Sequence, residues 1–460
     1  LPNPSAVAAN PREHFKTITY TGAGATQTVT GVGFKPDLLW IKRRDAVSNH
    51  HAQDTVRGIS ASSTKTLFPN LAQAESDQGA GTNKVSAVNS DGFVIDGSSG
   101  NLNTGSALYL THAWKAGGAA HAKTYAVTVV SDSGNKYRFD GFGTSAVTLD
   151  LQEGGTYTFD QSHSSNSGHP FVFGTSANAT DYTTGVTTSG TPGSSGAYTR
   201  ITVAASAPTI YYACSAHSGM GGQANTNSTF GSTNFDGNRT SIVSANVDAG
   251  FSISTHGHNT GSPEGTFGHG LGVPPVLVIE AKRDVNGGDW LAQHTLLDGS
   301  PDYMRINTTA ANSDGWSTMI TPTSTVYSTA MGAGGGATNV VAYAFAEKPG
   351  YSKGGVYTGN GADDGPFVNL GFEPAWILLK RTVGGTYEWI VKDNVRSPNN
   401  PNRLIHWFGF NFATNSPSVR MDFLSNGFKF RNISNALNTT GHKYIYFAIA
   451  ESPFKYANAQ

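Results

Sequence analysis

Three features of the sequence predict an all-β chain. Its 56 glycines and 20 prolines, with abundant Thr, Ser, Val, Phe and Tyr, suit short strands joined by tight turns. No stretch of ten or more residues carries helical periodicity. One pattern of apolar runs and Asp/Asn-Gly turns occurs three times. The expected architecture is three repeated β-sandwich domains of jelly-roll or lectin-like type, plus one inserted β-barrel.

The first copy reads Tyr20-Thr21-Gly22-Ala23-Gly24, then Gly33-Phe34-Lys35-Pro36-Asp37-Leu38-Leu39-Trp40-Ile41-Lys42-Arg43, then Ser90-Asp91-Gly92-Phe93 and Tyr109-Leu110-Thr111-His112-Ala113-Trp114. The third repeats it as Tyr357-Thr358-Gly359-Asn360-Gly361, Gly371-Phe372-Glu373-Pro374-Ala375-Trp376-Ile377-Leu378-Leu379-Lys380-Arg381, Ser425-Asn426-Gly427-Phe428 and Tyr444-Ile445-Tyr446-Phe447-Ala448. The second is more diverged: Gly272-Val273-Pro274-Pro275-Val276-Leu277-Val278-Ile279, Ser313-Asp314-Gly315-Trp316 and Val341-Ala342-Tyr343-Ala344-Phe345. The runs at 38–42, 276–280 and 375–380 follow Gly and Pro, as buried strands do. The Asp/Asn-Gly pairs suit tight hairpin turns, and 342–346 and 444–450 read as further strands.

Pro36, Pro275 and Pro374 are 239 and 99 residues apart. One copy is therefore about 100 residues long, and about 140 surplus residues separate the first two. The seams lie at Lys115-Ala116-Gly117-Gly118-Ala119-Ala120 and Gly221-Gly222-Gln223-Ala224-Asn225, both rich in small residues. The expected domains are repeat 1 at 1–120, the insert at 121–225, repeat 2 at 226–350 and repeat 3 at 351–460. A copy of this size has only a modest core, which leaves reason for the copies to pack on each other.

Charge is balanced, with 30 Lys+Arg against 31 Asp+Glu, which argues against an electrostatic nucleic-acid or membrane-surface binder. No run approaches the roughly 20 apolar residues of a membrane helix. The start, Leu1-Pro2-Asn3-Pro4, has no basic region or apolar core, so no signal peptide is expected there. The chain has 1 cysteine, so no intrachain disulfide forms and cysteine usage leaves the compartment open.

That cysteine sits in Tyr211-Tyr212-Ala213-Cys214-Ser215-Ala216-His217-Ser218-Gly219-Met220. A thiolate, an imidazole and a thioether leave one strand together, three of the four ligand types of a His2Cys copper site with a weak axial Met. The upstream candidate for the fourth is His169, in Ser167-Gly168-His169-Pro170-Phe171-Val172-Phe173, which leads into an apolar strand. His163 ranks behind it, because no strand follows it directly. The alternation in Thr156-Tyr157-Thr158-Phe159 suits a strand flanking such a site. The segment resembles the cupredoxin family over roughly 123–225, with a short Cys-x2-His-x2-Met loop like that of amicyanins. The resemblance implies an eight-stranded Greek-key barrel with His169, Cys214, His217 and Met220 as ligands of a type 1 copper. Cupredoxins commonly place Asn after the first histidine to tie the two ligand loops together; Pro170 stands there in this chain.

Other patterns are weaker. Trp40, Trp376, Trp389 and Trp407 suit a sugar-stacking platform, but Trp in short apolar runs is more often core. His256, His258 and His269 flank Gly-rich turns, where a metal clamp competes with ordinary solvated histidines. Asp363-Asp364 and Asp298-Gly299-Ser300-Pro301-Asp302 suit calcium, though neither matches an EF-hand loop. No nucleophile elbow, zinc-protease helix or phosphate loop stands out in a fitting context, so no enzyme is expected.

Across nearly its whole length the chain resembles virion structural proteins of tailed bacteriophages, marine phages especially. The carriers are Asn10-Pro11-Arg12-Glu13-His14-Phe15, the run from Gly33 to Lys42, the segment 125–159, Ser252-Ile253-Ser254 with Gly270-Leu271-Gly272, Phe345-Ala346-Glu347-Lys348-Pro349-Gly350-Tyr351, and Asp422-Phe423-Leu424-Ser425-Asn426-Gly427-Phe428-Lys429. The resemblance implies a structural or adhesive protein on the virion surface, as tail fibre, spike or capsid decoration. The implied partners are other virion proteins, further copies of the chain in a trimer, and host surface glycans. Tandem β modules with low charge agree with an exposed scaffold whose strand edges need covering. A copper electron-transfer protein on a β scaffold is the alternative.

Overall fold

Every named element among the described residues is a strand or a single 3-10 turn, as the all-β prediction requires. The computed structural model describes residues 10–79, 84–97, 101–117, 122–227, 230–258, 265–315, 319–329, 331, 338–383, 387–413 and 419–450. Trp316 of the second copy, and the side chain of His258, lie outside the described residues. The chain divides into two compact units: 1–116, 245–264 and 270–460 in one, 117–244 and 265–269 in the other.

The first unit contains most of the three repeats, which share one strand order; residues 226–244 and 265–269 of the range expected for repeat 2 belong to the second unit. In repeat 1 the order across the sheet is Phe15–Thr21, Leu108–Trp114, Leu38–Arg43, His50–Asp54, Ser63–Leu67, Ser76–Gly79. In repeat 3 it is Ser352–Thr358, Lys443–Ala450, Pro374–Arg381, Ile390–Asp393, His406–Trp407. In repeat 2 the corresponding six strands of an eight-stranded sheet run Phe251–His258, Thr338–Ala346, Pro275–Lys282, Leu291–His294, Asp302–Arg305, Ser313–Asp314. The register matches too: Arg43 pairs with Tyr109, Arg381 with Tyr444 and Lys282 with Val340. Repeats 1 and 3 each add a three-stranded sheet whose middle strand carries the buried Phe of the turn motif, Phe93 opposite Val29 and Phe428 opposite Val368.

The likeness between repeats 1 and 3 extends to side chains. Tyr20 stacks on Tyr109 with ring centroids 4.9 Å apart, and Tyr357 on Tyr444 at 4.9 Å. The Tyr20 hydroxyl donates to Leu102 O at 2.8 Å and the Tyr357 hydroxyl to Leu437 O at 2.9 Å. Asp54 pairs with Arg57, and Asp393 with Arg396, each with both side chains buried. A buried carboxylate needs such a partner, because its desolvation is otherwise uncompensated. Repeat 2 has His294 at the matching register position and needs no cation there.

The inner sheets of all three repeats turn to a common aromatic centre. Leu38, Leu277 and Trp376 hold equivalent positions, as do Trp40, Ile279 and Leu378, and all six line one space of about 10 Å³. Trp40 stacks on Phe408 at 3.9 Å and packs against Trp290 at 5.5 Å. Interiors pack as densely as organic crystals. Little empty space is left where the three copies meet.

The second unit is the barrel-like insert. Two sheets face each other: Asn135–Phe139, Ala122–Ser131, Thr156–Asp160, Tyr198–Thr202, Val186–Ser189, and opposite them Leu149–Gln152, Gly222–Asn227, Ile210–Cys214, Phe171–Gly174. That makes 9 strands where the resemblance implied eight. Their inner faces share one core of Tyr125, Tyr137, Phe139, Phe159, Phe171 and Tyr212. Phe235 closes it, 5.7 Å from Phe139 and 5.6 Å from Tyr125, so the core draws in residues past the seam at 225.

Candidate metal centre

Two neighbouring strands bring the ligand loops together. Phe171–Gly174 runs antiparallel to Ile210–Cys214, with Phe171 opposite Cys214. His169 just precedes the first strand, and Cys214 ends the second, so both stand at the same end of the sandwich. The Ser215 N–H donates to Pro170 O at 3.1 Å and joins the loops through backbone. The tie that Asn supplies in cupredoxins is thus made without a side chain at 170.

Cys214 Sγ lies 3.8 Å from His169 Nδ1 and 3.7 Å from His217 Nδ1. With metal–nitrogen bonds of about 2.0–2.1 Å and a metal–sulfur bond of about 2.3 Å, ligands roughly 120° apart around one ion stand about 3.8 Å from each other. The imidazole rings are 4.6 Å apart and tilted by 47°, which brings their nitrogens together without stacking the faces. Cys214 is buried, His169 half-buried and His217 exposed. Met220 is buried in the same core as Cys214. Burial, and after it the nearby His217, lower the His169 pKa, so its ring is held neutral and able to ligate.

The loop 215–220 is fastened at three points. The Tyr137 N–H donates to Met220 O at 2.9 Å, the Gly219 N–H to Asn178 Oδ1 at 2.6 Å, and Lys136 Nζ to Gly219 O. Gly219 has φ +75, where a side chain is strained. On the other loop, His169 O accepts from the Tyr137 hydroxyl and from Gln161 Nε2, each at 2.9 Å. Tyr137, Gln161, Asn178 and Lys136 escape sequence reading, because they act through backbone atoms of the ligand loops and share no spacing with the ligands.

Among the described residues, His169, Cys214 and His217 form the one group of three or more His, Cys, Asp or Glu able to hold an ion. His163 is not in it: its Nδ1 accepts from Ser165 N at 3.2 Å and caps the turn Ser164–Asn166. Trp40, Trp376 and Trp389 are core, and Trp407 is half-buried. His256 is buried with Nε2 2.9 Å from the Tyr327 hydroxyl, and His269 is buried in the other unit. Asp363 accepts from Ile433 N, Asp364 pairs with Lys429, and Asp298 binds its own turn at Ser300.

No curated protein and no solved structure matches the chain. A family model described as Domain of unknown function (DUF7483) matches residues 10–209 and 223–453. The first segment includes His169; Cys214, His217 and Met220 lie between the two segments. The match spans all three repeats and most of the insert, and the chain belongs to this family.

Proposed function

We propose that the chain is a structural or adhesive protein of a phage virion surface, as tail fibre, spike or capsid decoration, whose inserted barrel binds one copper ion in a type 1 site. One observation carries the copper half: a cysteine sulfur with two imidazole nitrogens 3.7 and 3.8 Å away, in a set that suits a soft, redox-active ion. His169, Cys214 and His217 are the strong ligands and Met220 the weak axial one. Bound copper supplies one-electron chemistry; the chain's part is to hold the thiolate and the two imidazoles in place. The structural half is supported by three repeats of one strand order packed on a shared aromatic centre, as a rigid scaffold requires, and by the resemblance to virion proteins. Other virion proteins, a homotrimer and host glycans are the partners this reading names.

One observation favours the alternative of an electron-transfer protein: His217 is exposed, so one ligand faces solvent. Titrating the full chain with Cu(II) tests the copper half. An intense blue band saturating at one ion per chain is expected, and a pale, purely nitrogen–oxygen spectrum overturns it. Counting chains in purified particles tests the other half. Many copies per particle are expected, and absence from the particle overturns the structural reading in favour of the alternative.

A further inference from the structure

The first histidine of the centre is held by its carbonyl. His169 O accepts two hydrogen bonds, from the Tyr137 hydroxyl and from Gln161 Nε2, both at 2.9 Å. Gln161 is 2 % exposed and Tyr137 fully buried, so both donor side chains are held by the core. Gln161 works as a clamp: while Nε2 donates to His169 O, Oε1 accepts from Phe171 N at 3.2 Å. One amide therefore brackets Pro170 from both sides. That matters because proline has no N–H and gives the turn no donor of its own.

Tyr137 reaches further. Its backbone N–H donates to Met220 O at 2.9 Å, and its ring packs 5.1 Å from Phe171, the residue opposite Cys214. One residue thus touches both the loop of the first histidine and the loop of the methionine. A ligand frame held this way keeps its geometry before an ion arrives, and the ordering is not charged against binding.

We infer that Tyr137 and Gln161 are positioning residues of the metal centre, which set the place of His169 relative to Cys214 and so tune both affinity and ligand field. This rests on the copper reading above. Neither residue ligates; both act through the His169 carbonyl, as outer partners of metal ligands do.

The test uses the full chain and Cu(II) as probe, with Tyr137→Phe, Gln161→Leu and a control, Tyr125→Phe. The control also removes a buried hydroxyl of the same core, one that donates to Thr233 O at 2.8 Å and touches no ligand loop. Copper affinity is expected to fall about 10-fold in each positioning variant, the low end of what outer-partner changes cost. The blue band and the reduction potential should shift with it, while the control keeps wild-type values of all three. A merely structural role would move the melting temperature of all three variants and leave band and potential alone. If wild type and positioning variants share one affinity, band and potential, the inference is overturned and the copper reading stands. If the wild type takes up no copper, both fall together.

Discussion

Histidines gather in two places in this molecule, and the two gatherings do opposite things. In the repeat unit His50, His112 and His406 are fully buried where repeats 1 and 3 meet. His50 stacks on His406 at 4.9 Å, nearly parallel, and His112 Nε2 lies 3.2 Å from His406 Nδ1. The outer nitrogens bond the Thr17 hydroxyl, Trp40 Nε1 and Phe410 O. In the barrel His169 and His217 stand half-buried and exposed, with Nδ1 atoms aimed at one sulfur. The same side chain is a neutral packing plate in one setting and a candidate ligand in the other. What differs is what the rings meet: other rings, an indole N–H and oxygens in the repeats, a cysteine sulfur in the barrel.

Changes confined to one gathering should leave the other untouched. The largest effect is expected from Cys214→Ser: the blue colour of the copper-loaded chain should vanish, since a hydroxyl cannot replace the covalent thiolate bond. Thermal unfolding of the metal-free chain should barely move, because the barrel has its own core. Next comes Trp40→Ala. Trp40 is 1 % exposed at the shared centre, so about 3–5 kcal/mol of stability should be lost in denaturant titration, as for large-to-small changes in other cores. Copper uptake by the barrel should be unchanged.

Acid is the third probe. Burial lowers the pKa of all three repeat histidines, that of His112 to about 3. Nearby cations Lys42 (toward His50 and His406) and Arg396 (toward His112 and His406) act in the same direction, and Asp393 opposes them at His112. The fold therefore favours the uncharged rings. Their contribution is complete above the unfolded value of 6.5 and is lost as pH falls below it, for His112 toward about 3. The loss should run at about 1.4 kcal/mol per pH unit for each histidine. Tryptophan fluorescence against denaturant at several pH values measures it, and replacing His406 by Asn should flatten the slope. The smallest effect belongs to Met220→Leu, which should keep the blue band and change only the potential, because the axial bond is weak.

The sequence made the candidate loop legible because Cys214, His217 and Met220 lie within seven residues, and a set that local can be proposed without knowledge of the fold. The repeats were legible for a similar reason: Pro36, Pro275 and Pro374 each open a buried strand, and Asp91-Gly92 and Asn426-Gly427 each turn into a buried phenylalanine. The shared centre was not. His112 and His406 are 294 residues apart, and Trp40 meets Phe408 only once three sheets have closed on each other. Periodicity says that Trp40 is buried; it does not say against what. Tyr137 and Gln161 stayed hidden because their work is done on a backbone carbonyl, which every residue has.

X-ray absorption at the copper edge of the loaded chain tests the central claim most directly. The account predicts one sulfur and two imidazole nitrogens at bonding distance, with the sulfur contribution lost in Cys214→Ser. A first shell of nitrogen and oxygen alone in the wild type would contradict it.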